Sequence, residues 1–227
     1  VNANGLSTTA WFEYGTISGS FGSKTSPQSV SGASDTAVGG VVSGLSPGNT
    51  CYYRIVAQNN AGTTYGNEMS FTTVDTSAPN CLISINNGAL YTNSSIVSLT
   101  LSSTDDVGVT GYYLSASSST PLASATGWTL VTSTTSYTGS VSYTLNSGDG
   151  DKTVYAWYKD AAGNVSTAVS DSITLDATAP MITITSPTST SIHTTTNSTV
   201  SLGGSASDST SGAAVVTWSN SKGGSGT

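Results

Sequence analysis

The chain has 227 residues, of which 36% are hydrophobic and only 7% charged, against roughly 25% charged in an average globular protein. Ser and Thr fill about a third of it, while 11 Tyr and 4 Trp argue for packed cores rather than disorder. A net charge of −7 without any basic run argues against nucleic acid and anionic lipid as partners, and no apolar stretch approaches a membrane span.

Hydroxyl-bearing, β-branched and aromatic residues form the strand-favouring set, so the expected fold class is all-β. The opening Val1-Asn-Ala-Asn-Gly5 has neither the charged nor the apolar region of a signal peptide. A secreted protein in mature or fragment form opens in this way.

In residues 1–74, Ala10, Phe12 and Tyr14 alternate with Trp11 and Glu13, which predicts a two-sided strand. Cys51, Tyr53, Ile55 and Ala57 recur at strand period. Gln58-Asn-Asn-Ala-Gly62 reads as a turn of residues that tolerate positive φ, and Phe71-Thr-Thr closes the segment.

The strongest signal is an internal repeat. Asp75-Thr-Ser-Ala-Pro79 returns 101 residues later as Asp176-Ala-Thr-Ala-Pro180. Each copy leads to an apolar strand, with Leu82, Ile83 and Ile85 in the first and Ile182 and Ile184 in the second. A second strand follows, Val97–Leu101 or Val200–Leu202, then an acidic turn, Asp105-Asp-Val-Gly108 or Asp208–Gly212. A third strand comes next, Gly111–Leu114 or Val215–Trp218. A period near 100 residues is the size of one sandwich domain. Proline ends each linker because it holds its predecessor extended and donates nothing to a sheet ladder. The expected boundaries give domains 1–75, 76–176 and 177–227.

Leu45-x-Pro47-Gly48-x-x-Cys51-x-Tyr53-Arg54-Ile55-x-Ala57, followed by Asn60-Ala61-Gly62, resembles the E–F corner, F strand and F–G turn of a fibronectin type III domain. Residues 76–176 resemble a bacterial Ig-like module, most visibly at Val154-Tyr-Ala-Trp-Tyr-Lys-Asp160-Ala-Ala-Gly-Asn164. Residues 177–227 resemble the opening of another such module, through Trp218-Ser-Asn-Ser-Lys-Gly-Gly. The resemblance implies Ig-like and fibronectin type III β-sandwiches in series on prokaryotic surface proteins and secreted enzymes. The first domain starts at what resembles its B strand, and the last is about half of a sandwich. The expectation is an excerpt of a longer chain, or ends completed by neighbouring molecules.

The resemblance also bears on the cysteines. Cys51 stands where a type III domain carries its corner tyrosine, and Cys81 where an Ig-like module carries a small or aliphatic residue. Both fall near the pole where the first domain meets the second, which implies a disulfide between Cys51 and Cys81 that stiffens the hinge. The other reading is two buried thiols packed as small hydrophobes.

Weak calcium candidates are Asp105, Asp106 and Asp160. Carboxylates in turns supply the hard oxygens that calcium takes, but turn Asp and Asn more often bond their own backbone. Asp75 and Asp176 in the linkers fall under the same reading, as does Asp149-Gly-Asp151, read as a hairpin turn that needs no metal.

No other cofactor is expected, and no catalytic residue. The one histidine, His193, has no acidic neighbour and no nucleophile elbow accompanies it. A glycoside-cleaving carboxylate pair would need two acids about 5–10 Å apart in a cleft, and of the only glutamates, Glu13 and Glu68, Glu13 reads as an outward strand residue. Trp11, Trp128, Trp157 and Trp218 are expected to pack cores, one per sandwich, with glycan stacking as the other use. Asn93, Asn164 and Asn197 fall in glycosylation sequons. The expected function is non-catalytic: an extracellular structural or adhesive stalk or fibre component on a prokaryotic cell surface. Its partners would be copies of itself, other surface proteins or glycans, with strand completion between chains. The alternative is a spacer or carbohydrate-binding part of a larger secreted polysaccharide-acting enzyme.

Overall fold

A computed structural model of the chain describes residues 1–188, 190–211, 215–219 and 225–226. Among the described residues the structure is all-β, without a helix. Strand pairing stays within three stretches of the chain: 8–72, 80–175 and 181 onward.

In the first stretch, β1 (Thr8–Gly15) is held extended by Trp11, Phe12 and Tyr14, bulky side chains that suit a pleated surface. It pairs antiparallel with β2 (Ser23–Lys24) and β3 (Gln28–Val30), and on its other edge with β4 (Thr50–Asn59). Asn59 Oδ1 accepts from the Ala61 amide at 2.9 Å, which turns the chain into β5 (Gly62–Tyr65). β6 (Met69–Thr72) then pairs with the first residues of β4. The sheet order is β2-β1-β4-β5. Glu13 and Arg54 face each other across β1 and β4 and form an ion pair at 2.8 Å. The small core gathers Ala3, Ala10 and Val30, with Val38 and Ala57 against them.

The second stretch is larger and folds on itself. It contains β7 (Asn80–Ile85), β8 (Tyr91–Thr92), β9 (Ile96–Ser115), β10 (Thr129–Thr144), β11 (Gly150–Asp160) and β12 (Val169–Leu175). The N-terminal half of β9 pairs with β7 and its C-terminal half with β11, while β10 follows it along both halves. Sheet residues from both halves share one core: Ile85, Leu99 and Leu101 meet Val154, Ala156 and Ile173. Each fully buried Leu or Ile there contributes about 1.5–3 kcal/mol. The result is sandwich-like.

The acidic turn expected at Asp105–Gly108 is not a turn between two strands. Thr104 pairs with Ser136 and Val109 with Thr134, so the β9 residues Asp105 to Gly108 stand opposite Thr135 alone. β9 therefore continues through a wide bulge, and bulges add local bend and twist. Gly108 holds φ +150 there, with the Ser133 hydroxyl where a Cβ would sit. The Asp149-Gly-Asp151 turn is not a hairpin either. β10 and β11 each pair with β9 rather than with each other, so this connection steps between partners of β9.

In the third stretch, β13 (Met181–Ser186) and β14 (Gly203–Ser207) form an antiparallel ribbon. Val200–Leu202, expected as a strand, are not extended in a ladder; β14 begins only after them, at Gly203. Gly204 packs against the Thr183 carbonyl more closely than any side chain permits, which fixes the register on the glycine pair. Of the expected strand 215–218 only Trp218 is extended, and with Ser219 it pairs with 225–226. Gly212 and residues 220–224 lie outside the described residues. Ile182 and Ile184 are exposed on the ribbon.

Candidate functional site

The repeat's linker motif lies where the first stretch meets the second, and the chemistry of the chain concentrates there. Asp75 is its first acid. The Ser77 amide donates to Asp75 Oδ1 at 3.0 Å, a local turn that bends the chain into β7. Asn164, in the loop after β11, donates through Nδ2 to the Asp75 carbonyl at 3.2 Å. The same Nδ2 donates to Asp160 Oδ2 at 2.6 Å, while Asp160 Oδ1 accepts the amides of Gly163 and Asn164 at 2.7 and 2.9 Å. Asp160 thus shapes its own loop and points Asn164 at the linker.

From the other side comes the β9 bulge. Asp105 Oδ1 accepts the amides of Val107 and Gly108 at 3.0 and 2.7 Å. This places Val107 against Gly48, in the corner that precedes β4. Gly48 has φ +68, and a Cβ added to it would stand 3.0 Å from Val107 Cγ1. The corner is itself pinned to the end of β6: Gly48 N donates to the Thr73 carbonyl at 3.0 Å.

One carboxylate oxygen from each of Asp75, Asp105 and Asp106 lies within 4.8 Å of the others. Asp75 and Asp105 are buried and Asp106 is exposed. Oδ2 of Asp75 and Oδ2 of Asp105 are shut from solvent without a hydrogen-bond partner. The Ser77 amide draws the Asp75 carboxyl down, but burial and the charges of Asp160, Asp105 and Asp106 outweigh it and leave it above its ordinary value. Of the calcium candidates, Asp105 and Asp106 therefore come together, whereas Asp160 spends both oxygens on its own loop. Asp75 completes the group. Its signal in the sequence was the linker repeat, in which Asp75 and Asp176 hold the same place.

The disulfide between Cys51 and Cys81 is not formed. Both are buried free thiols. Cys51 lies opposite Phe71 in the β4–β6 pair, and its Sγ is 3.8 Å from the Tyr52 carbonyl. Cys81 belongs to the core of the second stretch, with Sγ 3.8 Å from the Thr167 carbonyl. Each sulfur is committed to its own sheet. Burial raises the Cys81 thiol above its ordinary value, with a hydrogen bond to Ser166 opposing it.

The tryptophans divide. Trp157 is fully buried and packs against Tyr113 and Tyr155. Trp128 covers Tyr113 edge-on, donates to the Leu122 carbonyl at 3.0 Å, and lies under Lys159 Nζ. Trp11 is half-buried beneath Lys24, and Trp218 is exposed. His193 is exposed.

What these features define is an all-β, sandwich-like chain whose most elaborate polar arrangement sits at a junction rather than in a deep cleft. No protein-family model matches the sequence, and no curated protein matches it.

Proposed function

We propose that this chain is a non-catalytic structural or adhesive module of the outside of a prokaryotic cell, built as sandwiches in series that act as a stalk or fibre element. The observation that carries this reading is the junction. The loop after β11 holds the first residue of the linker motif, and the β9 bulge packs against the Gly48 corner. A spacer that transmits position or force needs such fixed contacts between successive units. Without them, relative motion of neighbouring domains is the default.

Two further observations support it. The order β2-β1-β4-β5 follows the C′-C-F-G order of an Ig-type sheet, in keeping with the fibronectin type III resemblance of 1–75. The β13–β14 ribbon carries exposed Ile182 and Ile184. An open ribbon of this kind accepts a further strand, from its own chain or from another copy.

Electron microscopy of the protein isolated from its native source tests the proposal. Straight rods or filaments with a regular axial repeat support it. Compact particles that cleave a polysaccharide would replace it with the accessory-module reading.

A further inference from the structure

We infer that Asp75, Asp105 and Asp106 form a calcium-type divalent cation site that clamps the first unit to the second. The inference does not depend on the proposed function; it follows from how the three carboxylates are placed. Asp75 and Asp105 are 6% and 9% exposed. Each uses Oδ1 to accept backbone amides and leaves Oδ2 buried without any donor. Buried polar atoms are nearly always satisfied, and an orphan pair points to a missing ion or water. Two anionic orphans beside a third carboxylate call for a cation rather than a donor-and-acceptor water.

Each lysine and arginine side chain among the described residues is engaged elsewhere. Arg54 is paired with Glu13. Lys24 lies over Trp11, Lys152 reaches the Ser147 carbonyl, and Lys159 reaches the Ala123 carbonyl. Lys222 lies outside the described residues. Asp160 adds a further carboxylate nearby, since one Asn164 Nδ2 donates both to its Oδ2 and to the Asp75 carbonyl.

The ligand set selects the kind of ion. It is all hard oxygen, without sulfur or imidazole, which suits calcium or magnesium. A shallow cleft of about 370 Å³, lined by Ser77, Ala78, Asn80, Thr104, Asp105 and Asp106, leaves room for the waters that would complete six to eight ligands. Calcium tolerates such an irregular, partly hydrated shell, whereas magnesium demands near-ideal octahedral geometry. The ligands come from the linker and from β9, so the bound ion would hold both.

The second linker repeats the approach of two acids. The Ser211 amide donates to Asp176 Oδ2 at 3.0 Å and to Asp208 Oδ1 at 3.1 Å. Asp208 Oδ1 also accepts from Thr210, in the manner of Asp105. The linker acid and the first acid of the following acidic segment therefore meet at both junctions.

The test is calorimetric titration of the intact, chelator-stripped chain with calcium chloride and with magnesium chloride, paired with thermal unfolding. Saturable calcium binding is expected, with a melting temperature that climbs as calcium rises above its Kd. The double variant Asp75→Asn/Asp105→Asn should lose both responses and melt in chelator no lower than the wild type, because charge repulsion is gone. Asp106→Asn, at an exposed position, should keep the fold and weaken binding severalfold. No calcium binding at about 10 mM, above the range of weak extracellular sites, would overturn the inference. So would a double variant that binds like the wild type, or magnesium binding as tight as calcium.

Discussion

Asn164 Nδ2 lies 3.2 Å from the carbonyl oxygen of Asp75, a hydrogen bond between residues 89 positions apart that fixes the linker to the loop after β11. Replacing Asn164 by Ala removes this bond and the one to Asp160 Oδ2. A loss of about 1–3 kcal/mol is expected, the usual cost of stripping buried polar partners. Urea denaturation measures it, and limited proteolysis should show faster cleavage between residues 73 and 79.

Gly48 and Gly5 separate backbone strain from junction contact. Both have positive φ, +68 and +82, but only Gly48 faces a neighbour, Val107. Gly5→Ala should cost about 1–2 kcal/mol from backbone strain alone. Gly48→Ala should cost more and also raise protease sensitivity at the linker. Equal losses in the two variants would show that the Gly48–Val107 contact is not significant.

The thiols give a chemical check. In the native protein Cys51 and Cys81 are buried and unbridged, so both should resist alkylation until the protein is denatured. Burial also holds the Cys81 thiol above its ordinary value, which lowers the reactive thiolate fraction further. Mass spectrometry after denaturing alkylation without reductant should find a label on each cysteine. Finding none would mean the two sulfurs are joined.

Asp149 offers a pH test at the second linker. The Thr178 side chain and the Ala177 amide hold its carboxyl below the usual carboxylate range, the Ala177 bond at 2.8 Å. A depressed folded-state value contributes stability above the unfolded value of about 3.9. That contribution disappears as pH falls through the folded-state value. Asp149→Ala should therefore be less stable than the wild type at neutral pH, and the difference should vanish in strong acid. A gap that stays constant with pH would point to lost packing instead of charge.

Much of the fold could be read from local pattern. The alternation through Ala10, Phe12 and Tyr14 marked β1, and Cys51 to Ala57 marked β4, because one-sided burial imposes period two on side chains. The β9 bulge was not legible. Asp105-Asp-Val-Gly108 bonds its own backbone as a turn would, and only its pairing with distant β10 keeps the strand continuous. The candidate site was half legible. Asp105 and Asp106 are adjacent in sequence, but the approach of Asp75 depends on how one unit sits on the next. The cysteine pairing failed for a related reason: two positions near one pole do not decide which way each sulfur turns.

On this reading the first two units are held as one body at the Asp75 junction. Residual dipolar couplings from the amides of 8–72 and 80–175, with calcium chloride present, test it most directly. Both sets should fit a single alignment tensor of equal magnitude. Two tensors of different magnitude would mean that the units move independently, and the stalk reading would lose its basis.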